Sequence, residues 1–195
     1  MKKKHLYIET FGCQMNVHDS EQMAVVLRDL GYEQTEDSAK ADCILINTCS
    51  IREKAEQKAM SELGRLMKLK EKNPDLIIGF AGCLAQHLGA RVHRRVKNVD
   101  LVFGTHNIHR LPEMIARVQK ERKSITEIGF SSSLHSLGIF APPPNGTISA
   151  FVSIMQGCDN YCAYCVVPYL RGPEMSREAQ DIVGEIEKLA RCGVR

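Results

Sequence analysis

The sequence predicts an α/β fold in which an open parallel sheet is flanked by helices, followed by the start of a second α/β unit. Over the first 125 residues, strand-like apolar runs alternate with segments of helical periodicity, the pattern of a parallel sheet wrapped by helices. A segment rich in Ser and Pro then interrupts the alternation. We therefore expect a first domain over residues 1–130, a linker over 131–147 and an incomplete second domain over 148–195.

The elements of the first domain follow from two periodicities. Continuous apolar runs are typical of strands buried on both faces of a parallel sheet, and apolar residues three and four positions apart indicate helices. Asp19 or Ser20 is expected to cap the first helix, and Gly31 to end it. The predicted elements are strand 6–11, helix 20–30, strand 43–47, helix 54–72, strand 76–81, helix 88–97, strand 99–104 and helix 112–122.

The second domain is predicted from a single strand and a single helix. The strand covers 148–154, a loop rich in cysteine follows, and an amphipathic helix runs from about Gln180 to Cys192. One strand and one helix cannot close a domain, so we expect this unit to be incomplete.

Composition excludes several classes of protein. Of the 195 residues, 44% are hydrophobic and 25% are charged, as in ordinary globular proteins. We expect a cytoplasmic protein without membrane contact, because no apolar run approaches the roughly 18–20 residues of a membrane helix and the N-terminus lacks a signal-peptide pattern. The net charge of +3 is too small to imply a nucleic-acid partner by itself. Eight cysteines in such a chain favour metal or redox chemistry over disulfides.

One group of cysteines is close together in sequence. Cys158, Cys162 and Cys165 follow the predicted strand with Cx3Cx2C spacing. Thiolates are soft ligands for iron–sulfur clusters or zinc. Three ligands would leave one iron of a 4Fe–4S cluster open to a small molecule. Zinc and incidental loop thiols are the alternatives, although zinc loops usually contain Cx2C pairs and a fourth ligand.

A second group is far apart in sequence. Cys13, Cys49 and Cys83 each follow one of the first three predicted strands, in a polar or glycine-containing turn. The turns after the carboxyl ends of parallel strands lie at one edge of the sheet. We therefore expect these three thiols to converge. Three ordinary buried cysteines are the alternative, and position alone does not decide between the two.

Several motifs resemble those of a known family. The Cx3Cx2C loop with Tyr164 before its last cysteine resembles the signature of radical S-adenosylmethionine (SAM) enzymes. Across essentially the whole chain, the sequence is similar to the radical SAM methylthiotransferases. The matching stretches are 11–16 (FGCQMN), 19–21 (DSE), 47–55 (NTCSIREKA), 82–86 (GCLAQ) and 169–177 (YLRGPEMSR).

The resemblance implies two 4Fe–4S clusters and SAM as cofactors. One cluster, exchangeable with SAM, would be held by Cys158, Cys162 and Cys165, and an auxiliary cluster by Cys13, Cys49 and Cys83. Tyr164 would lie near SAM, and Arg171 and Arg177 near SAM or substrate; ion pairing within the protein is the alternative for the two arginines. The second domain would be the first βα unit of an incomplete radical SAM (β/α) barrel. No catalytic acid or base is identified.

The motifs at 13–16 and 50–55 resemble the branch of the family that modifies tRNA. That branch adds a methylthio group to C2 of N6-isopentenyladenosine next to the anticodon, using two SAM per turnover. The implied partners are this tRNA, SAM, an electron donor such as flavodoxin or ferredoxin and a sulfur donor, with the enzyme a monomer. Family members are more than twice as long as this chain, so we expect the chain alone to be inactive.

Two alternatives stay open. The same chemistry could act on a ribosomal-protein aspartate or on threonylcarbamoyl-adenosine in tRNA. The chain could also be a non-catalytic metal-binding domain with a structural or redox role.

Other residues carry weaker expectations. Cys43 and Cys192 are expected to be structural thiols of the core. His18, His87 and His106 are expected to be solvated, with metal binding or proton transfer as the alternative. The basic residues at 91–97 are expected to form a solvated helix face, with phosphate binding as the alternative. Asn16, Asn47 and Gln14 are candidates to orient the auxiliary site.

Overall fold

Six parallel strands form the main sheet of the protein, and a pair of short antiparallel strands lies later in the chain. The computed structural model describes residues 3–51, 53–131, 138–143 and 146–195. Much of the expected linker 131–147 therefore lies outside the described residues, as does Arg52 of the NTCSIREKA motif. Among the described residues, no helix has both the length and the apolar character needed to span a membrane.

The element bounds are as follows. The strands are β1 (Lys4–Phe11), β2 (Tyr32–Gln34), β3 (Cys43–Thr48), β4 (Ile77–Ala81), β5 (Leu101–Phe103), β6 (Ile125–Glu127), β7 (Met155–Gln156) and β8 (Met175–Ser176). The helices are α1 (Gln14–Arg28), α2 (Glu53–Lys72), α3 (Cys83–Leu88), α4 (Arg91–Arg95), α5 (Leu111–Glu121), α6 (Val167–Arg171) and α7 (Ala179–Arg191). Short 3₁₀ helices cover Ser38–Lys40 and Thr105–Arg110.

The strand order of the main sheet is β2-β1-β3-β4-β5-β6, and every neighbouring pair is parallel. This confirms the expected open parallel sheet flanked by helices. The chain passes from β1 to one side, to β2, and then returns to the other side as β3. The direction of winding therefore changes between β1 and β3, and ligands of such sheets bind outside the carboxyl ends of the strands at this point.

Two hydrophobic layers cover the faces of the sheet. One layer contains Met23 and Leu27 of α1 together with α5, and the other contains Leu63 and Leu66 of α2 together with α3 and α4. All six residues of β3 are buried, and successive side chains join opposite layers. Cys43 is one of them, which confirms it as a core thiol, and burial raises its pKa.

Several element boundaries differ from the sequence predictions. The first helix begins at Gln14 rather than residue 20, with Cys13 as its N-cap. Asp19 and Ser20 cannot cap it because their side chains form hydrogen bonds inside the protein. The expected helix 88–97 is interrupted at Gly89, whose positive φ of 51° ends α3 before α4 begins. Strands β2 and β6 were not predicted, because each has three residues and no distinctive periodicity.

In the region after residue 146, the structure confirms one sequence prediction and contradicts two. Helix α7 agrees with the predicted helix to within one residue at each end. The predicted strand 148–154 is wrong: these residues are not in a strand, and β7 pairs antiparallel with β8. Ile148, Phe151 and Ile154 are exposed, so these apolar side chains do not face a core as those of a buried strand would. Cys192 is exposed at the C-cap of α7, so it is not a core thiol. The barrel itself remains a prediction.

Truncation of a core side chain should destabilise the sheet and helix layers together. Leu63 of α2 has no exposed surface, so we expect Leu63→Ala to lower the free energy of unfolding by about 2–5 kcal/mol through lost burial and the cavity left behind. Urea denaturation followed by circular dichroism measures the change. Ser61→Ala, at an exposed position of the same helix, is the control and should stay within about 0.5 kcal/mol of the parent. Equal losses in both variants would contradict the packing described here.

Candidate functional site

The carboxyl ends of β1, β3 and β4 bring three cysteine-containing turns to one edge of the sheet. These strands are neighbours, with Phe11 opposite Thr48 and Asn47 opposite Ala81. Cys13 caps α1, Cys49 follows β3, and Cys83 begins α3. The backbone N–H of Cys49 donates to the carbonyl oxygen of Phe11 at 2.8 Å, which continues the ladder into the turn. The three turns therefore meet where the winding direction of the sheet changes.

Two buried asparagines join the first two turns. The Asn47 amide nitrogen donates to the Asn16 carbonyl oxygen at 2.7 Å and to Ser20 Oγ at 2.9 Å. The Asn16 amide nitrogen donates to Asn47 Oδ1 at 3.1 Å. The Asn16 side-chain oxygen in turn faces the Cys13 backbone N–H and thiol, each at 3.4 Å. Both asparagines therefore lie where they can orient the turns, whereas Gln14 is exposed.

Two glycines allow the turns to approach this closely. A Cβ on Gly12 would lie 2.4 Å from Asn16 Oδ1 and 3.0 Å from Cys49 Cβ. Gly82 has a φ of +90°, and a Cβ there would lie 2.2 Å from Asn47 Oδ1 and 2.6 Å from the Thr48 carbonyl oxygen. Side chains at these positions would push the turns apart. Glycine before Cys13 and Cys83 is thus a steric requirement of the edge.

The three thiols differ in exposure. Cys13 is half-buried, while Cys49 and Cys83 are 2% and 7% exposed. Burial raises the pKa of Cys83, and the nearby guanidinium of Arg171 opposes this by favouring the thiolate. The backbone N–H of Ile51 faces Cys49 Sγ at 3.4 Å. A site of this kind, with thiol donors, backbone N–H groups and one cation, suits an anionic sulfur-rich group.

Three free thiols are the candidate metal ligands at this edge of the sheet. All three cysteines are free of disulfide bonds. Within the described part of the chain, no three Cys, His, Asp or Glu side chains are arranged around one point as a single metal ion requires. In a 4Fe–4S cluster each thiolate binds a different iron, so its ligands surround a group of atoms rather than one ion.

The second group of cysteines lies in the loop between β7 and α6. The Cys158 backbone N–H donates to the Gly172 carbonyl oxygen at 3.1 Å, and the Cys165 N–H to the Cys162 carbonyl oxygen at 2.9 Å. The Asn160 amide nitrogen donates to Cys158 Sγ at 3.3 Å. Cys162 is exposed, and the other two are half-buried. The loop therefore holds three accessible thiols in one ordered turn.

The remaining residues expected near SAM have distinct environments. Tyr164 is 93% exposed, so its ring is available to a ligand. Arg177 pairs with Glu185 at 2.5 Å and donates to the Ser153 carbonyl oxygen at 2.7 Å. Arg171 pairs with Asp19 at 2.6 Å. Both arginines thus have protein partners, and a role toward SAM stays a prediction for all three residues.

Two of the three histidines are buried rather than solvated. His106 Nε2 lies 2.8 Å from the Arg171 carbonyl oxygen, and its ring contacts Phe130 edge to face. His18 lies 3.0 Å from the Gln22 amide nitrogen. The expectation of solvation is wrong for both because the region after residue 146 and the side chains of α1 cover them. His87 is exposed, with Nδ1 3.0 Å from Ser50 Oγ.

The basic helix α4 is largely engaged with its own neighbourhood. Arg95 forms an exposed ion pair with Glu56, and Arg91 donates to the carbonyl oxygens of His87 and Leu88. These contacts fit a solvated helix face.

Asp19 was missed as a site residue from the sequence. Its signal was a carboxylate in the first helix six residues after Cys13, close to the edge where the cysteine turns meet.

Known proteins resemble this chain over its whole length. A family model described as uncharacterized protein family UPF0004 matches residues 5–104. A protein of Syntrophus aciditrophicus named tRNA-2-methylthio-N(6)-dimethylallyladenosine synthase is 55% identical over 100% of this chain and 42% of its own length. Proteins with the same name from Geobacter metallireducens and Pelobacter propionicus are 52% and 50% identical and are covered to 44% of their length. The chain therefore spans about two fifths of the length of these relatives.

The close approach of the turns makes Gly82 sensitive to substitution. We expect Gly82→Ala to lower the free energy of unfolding by about 2 kcal/mol or more, because a left-handed φ and two close oxygen atoms oppose a Cβ. Gly64→Ala in α2 meets open space and should raise it by about 0.5–1 kcal/mol. Urea denaturation of both variants measures this difference in sign, and stabilisation by Gly82→Ala would contradict the described turn.

Burial lowers the pKa of His106 from its ordinary value of 6.5. The unfolded chain therefore binds more protons than the folded chain just below this pH, and stability should decrease as the pH falls through about 6.5 and level off below the folded-state pKa. Urea denaturation at several pH values from 7.5 to 5 should show a shallower dependence for His106→Gln. His87→Gln, at an exposed position, is the control and should keep the parent's dependence. An unchanged slope in His106→Gln would show that His106 is not the titrating group.

Proposed function

The chain belongs to the family described as uncharacterized protein family UPF0004, and from this membership we propose that it is part of a radical SAM methylthiotransferase. The proposed reaction adds a methylthio group to C2 of N6-isopentenyladenosine next to the anticodon of tRNA. The convergence of the Cys13, Cys49 and Cys83 turns at one edge of the sheet is the observation that carries the proposal. The names of the relatives support the choice of substrate.

The cysteines would hold the two cofactor clusters. Cys13, Cys49 and Cys83 would bind an auxiliary 4Fe–4S cluster, and Cys158, Cys162 and Cys165 a cluster exchangeable with SAM. When bound, these groups supply radical and sulfur-transfer chemistry that protein side chains cannot provide. Such chemistry is needed because the C2–H bond of adenine is not activated toward a general base. We propose two SAM per turnover.

Other residues of this chain would contact SAM, hold the cysteine turns in place and exclude water from the thiols. The exposed ring of Tyr164 directly precedes Cys165 and offers a surface for the adenine of SAM. Asn16 and Asn47 hold two of the turns in place, and Cys49 and Cys83 are shielded from water. Arg177 is held by Glu185 next to the second cysteine region. We identify no catalytic acid or base.

The proposal includes partners beyond the chain. They are the isopentenylated tRNA, SAM, a sulfur donor and an electron donor such as flavodoxin or ferredoxin, and we place a monomeric enzyme in the cytoplasm. The relatives are more than twice as long as this chain. We therefore expect the 195-residue chain to bind cofactors without catalysing the reaction.

Cluster binding is tested by anaerobic reconstitution of the chain with ferrous iron and sulfide. We expect about eight iron atoms per chain. We expect about four when Cys13, Cys49 and Cys83 are all replaced by Ala, and also when the cysteines of the second triad, 158, 162 and 165, are all replaced. Iron analysis measures the iron content of the parent and the variants, and electron paramagnetic resonance (EPR) spectroscopy detects the clusters. Cys192→Ser, at an exposed cysteine outside both triads, should retain the full iron content. Colourless protein with stoichiometric zinc would favour a non-catalytic metal-binding domain.

The substrate is tested in cells by deletion of the whole gene. Mass spectrometry of tRNA nucleosides should show loss of the 2-methylthio form of N6-isopentenyladenosine, because the proposed reaction installs this group. The whole protein should restore it, whereas the 195-residue chain should not. Unchanged amounts, together with loss of a methylthio group from threonylcarbamoyl-adenosine or a ribosomal protein, would contradict the proposed substrate.

A further inference from the structure

A buried ion pair connects the two cysteine-containing regions. Arg171 lies at the end of α6, six residues after Cys165, and its Nη2 atom is 2.6 Å from the carboxylate of Asp19 in α1. Both side chains are more than nine-tenths buried. The Arg171 carbonyl oxygen also accepts a hydrogen bond from His106, so backbone and side chain are both held. The position of Arg171 relative to the sheet is therefore closely determined.

The same guanidinium lies beside the three-cysteine edge. Helix α6 packs against α3, which begins at Cys83. The Arg171 guanidinium lies near the Cys83 thiol, and its positive charge opposes the rise in the pKa of Cys83 that burial causes. Each of these groups favours the charged form of the other. One group of the second region thus reaches directly into the site formed by the first.

One donor of this guanidinium is left over. Within the described residues, the Nη1 atom of Arg171 is buried and has no hydrogen-bond partner of good geometry. Buried polar groups are nearly always paired, and a buried charged donor without a partner is costly. Because Nη2 is occupied by Asp19, the unused donor is the one available to another anion at this edge.

Stability alone does not account for the pair. A buried ion pair often contributes no more than well-packed apolar residues would, because both charges lose their hydration. What the pair provides is a cation at a defined place and in a defined orientation. That place is next to a thiol that must become a thiolate to bind metal.

We propose that Arg171 is a positioning residue of the Cys13–Cys49–Cys83 site, held in place by Asp19 and presenting Nη1 to an anionic sulfur ligand beside Cys83. The ligand class is a thiolate or sulfide sulfur, as in a bound cluster, and in this respect the inference rests on the proposed function. It follows that the site is incomplete without the region after residue 146, although all three cysteines belong to the sheet. A cation beside a cluster also raises its reduction potential and slows the loss of its iron.

The test uses the full chain with Cys158, Cys162 and Cys165 replaced by Ala, so that only the sheet site is loaded. In this background we compare the parent, which retains Arg171 and Asp19, with the variants Arg171→Ala, Arg171→Lys and Asp19→Asn after anaerobic reconstitution. The rate of iron release to a ferrous chelator and the midpoint potential of the EPR signal are measured. We expect Arg171→Ala to release iron about 10-fold faster and to have a more negative potential. Asp19→Asn should move both in the same direction by disturbing the orientation of Arg171.

Two variants separate positioning from general loss of structure. Arg171→Lys keeps the charge but not the planar donor pair, so it should restore part of the potential while iron release stays fast. Lys70→Ala breaks another largely buried ion pair, with Asp100 before β5 and so away from the cysteine turns, and should leave both readouts unchanged. Circular dichroism identifies any variant that does not fold, in which case Arg171→Lys carries the comparison. Unchanged iron release and potential in folded Arg171 variants would overturn the inference alone, whereas a parent that binds no iron would overturn the proposed function with it.

Discussion

The parallel pairing of β1, β3 and β4 is the constraint on which the rest of the structure depends. Strands that run in one direction have their carboxyl ends at one edge, so three turns that are distant in sequence become neighbours. Helices α1 and α2 leave this edge toward opposite faces of the sheet, because the winding direction changes between β1 and β3. Cys13, directly before α1, and Cys49, directly after β3, lie at this edge.

Polar side chains are buried behind this edge, where an α/β protein usually has apolar ones. Asn16, Asn47 and Ser20 satisfy one another's hydrogen bonds, so their burial does not leave the unpaired groups that would destabilise the fold. A network of this kind requires one arrangement of the turns, since a shift of any member leaves the others unpaired. The asparagine network also requires glycine at positions 12 and 82, because a side chain at Gly12 would displace Asn16 and one at Gly82 would displace Asn47.

The Asp19–Arg171 pair gives the later region a defined place on the sheet. It acts with the His106 contact to the Arg171 backbone and with the packing of α6 on α3. Few apolar contacts are available to that region, where several large hydrophobic side chains are exposed. Its position therefore depends on specific polar contacts that lie next to Cys83. The position of one group of cysteines relative to the other therefore depends on a few polar contacts, among them the Asp19–Arg171 ion pair and the His106–Arg171 hydrogen bond.

The sequence by itself determined the parallel α/β sheet, most of the elements around it and the presence of turn cysteines at its carboxyl edge, because hydrophobic periodicity is local and helices between successive strands imply parallel pairing. It did not reveal β2 or β6, whose three residues gain strand structure only from a neighbouring strand. It wrongly placed a strand at 148–154 and His18 and His106 in solvent, because burial there depends on what packs from elsewhere. Only the tertiary structure decided that Asp19 holds Arg171 beside Cys83, since charge pairing between residues 152 positions apart leaves no periodic trace in a sequence.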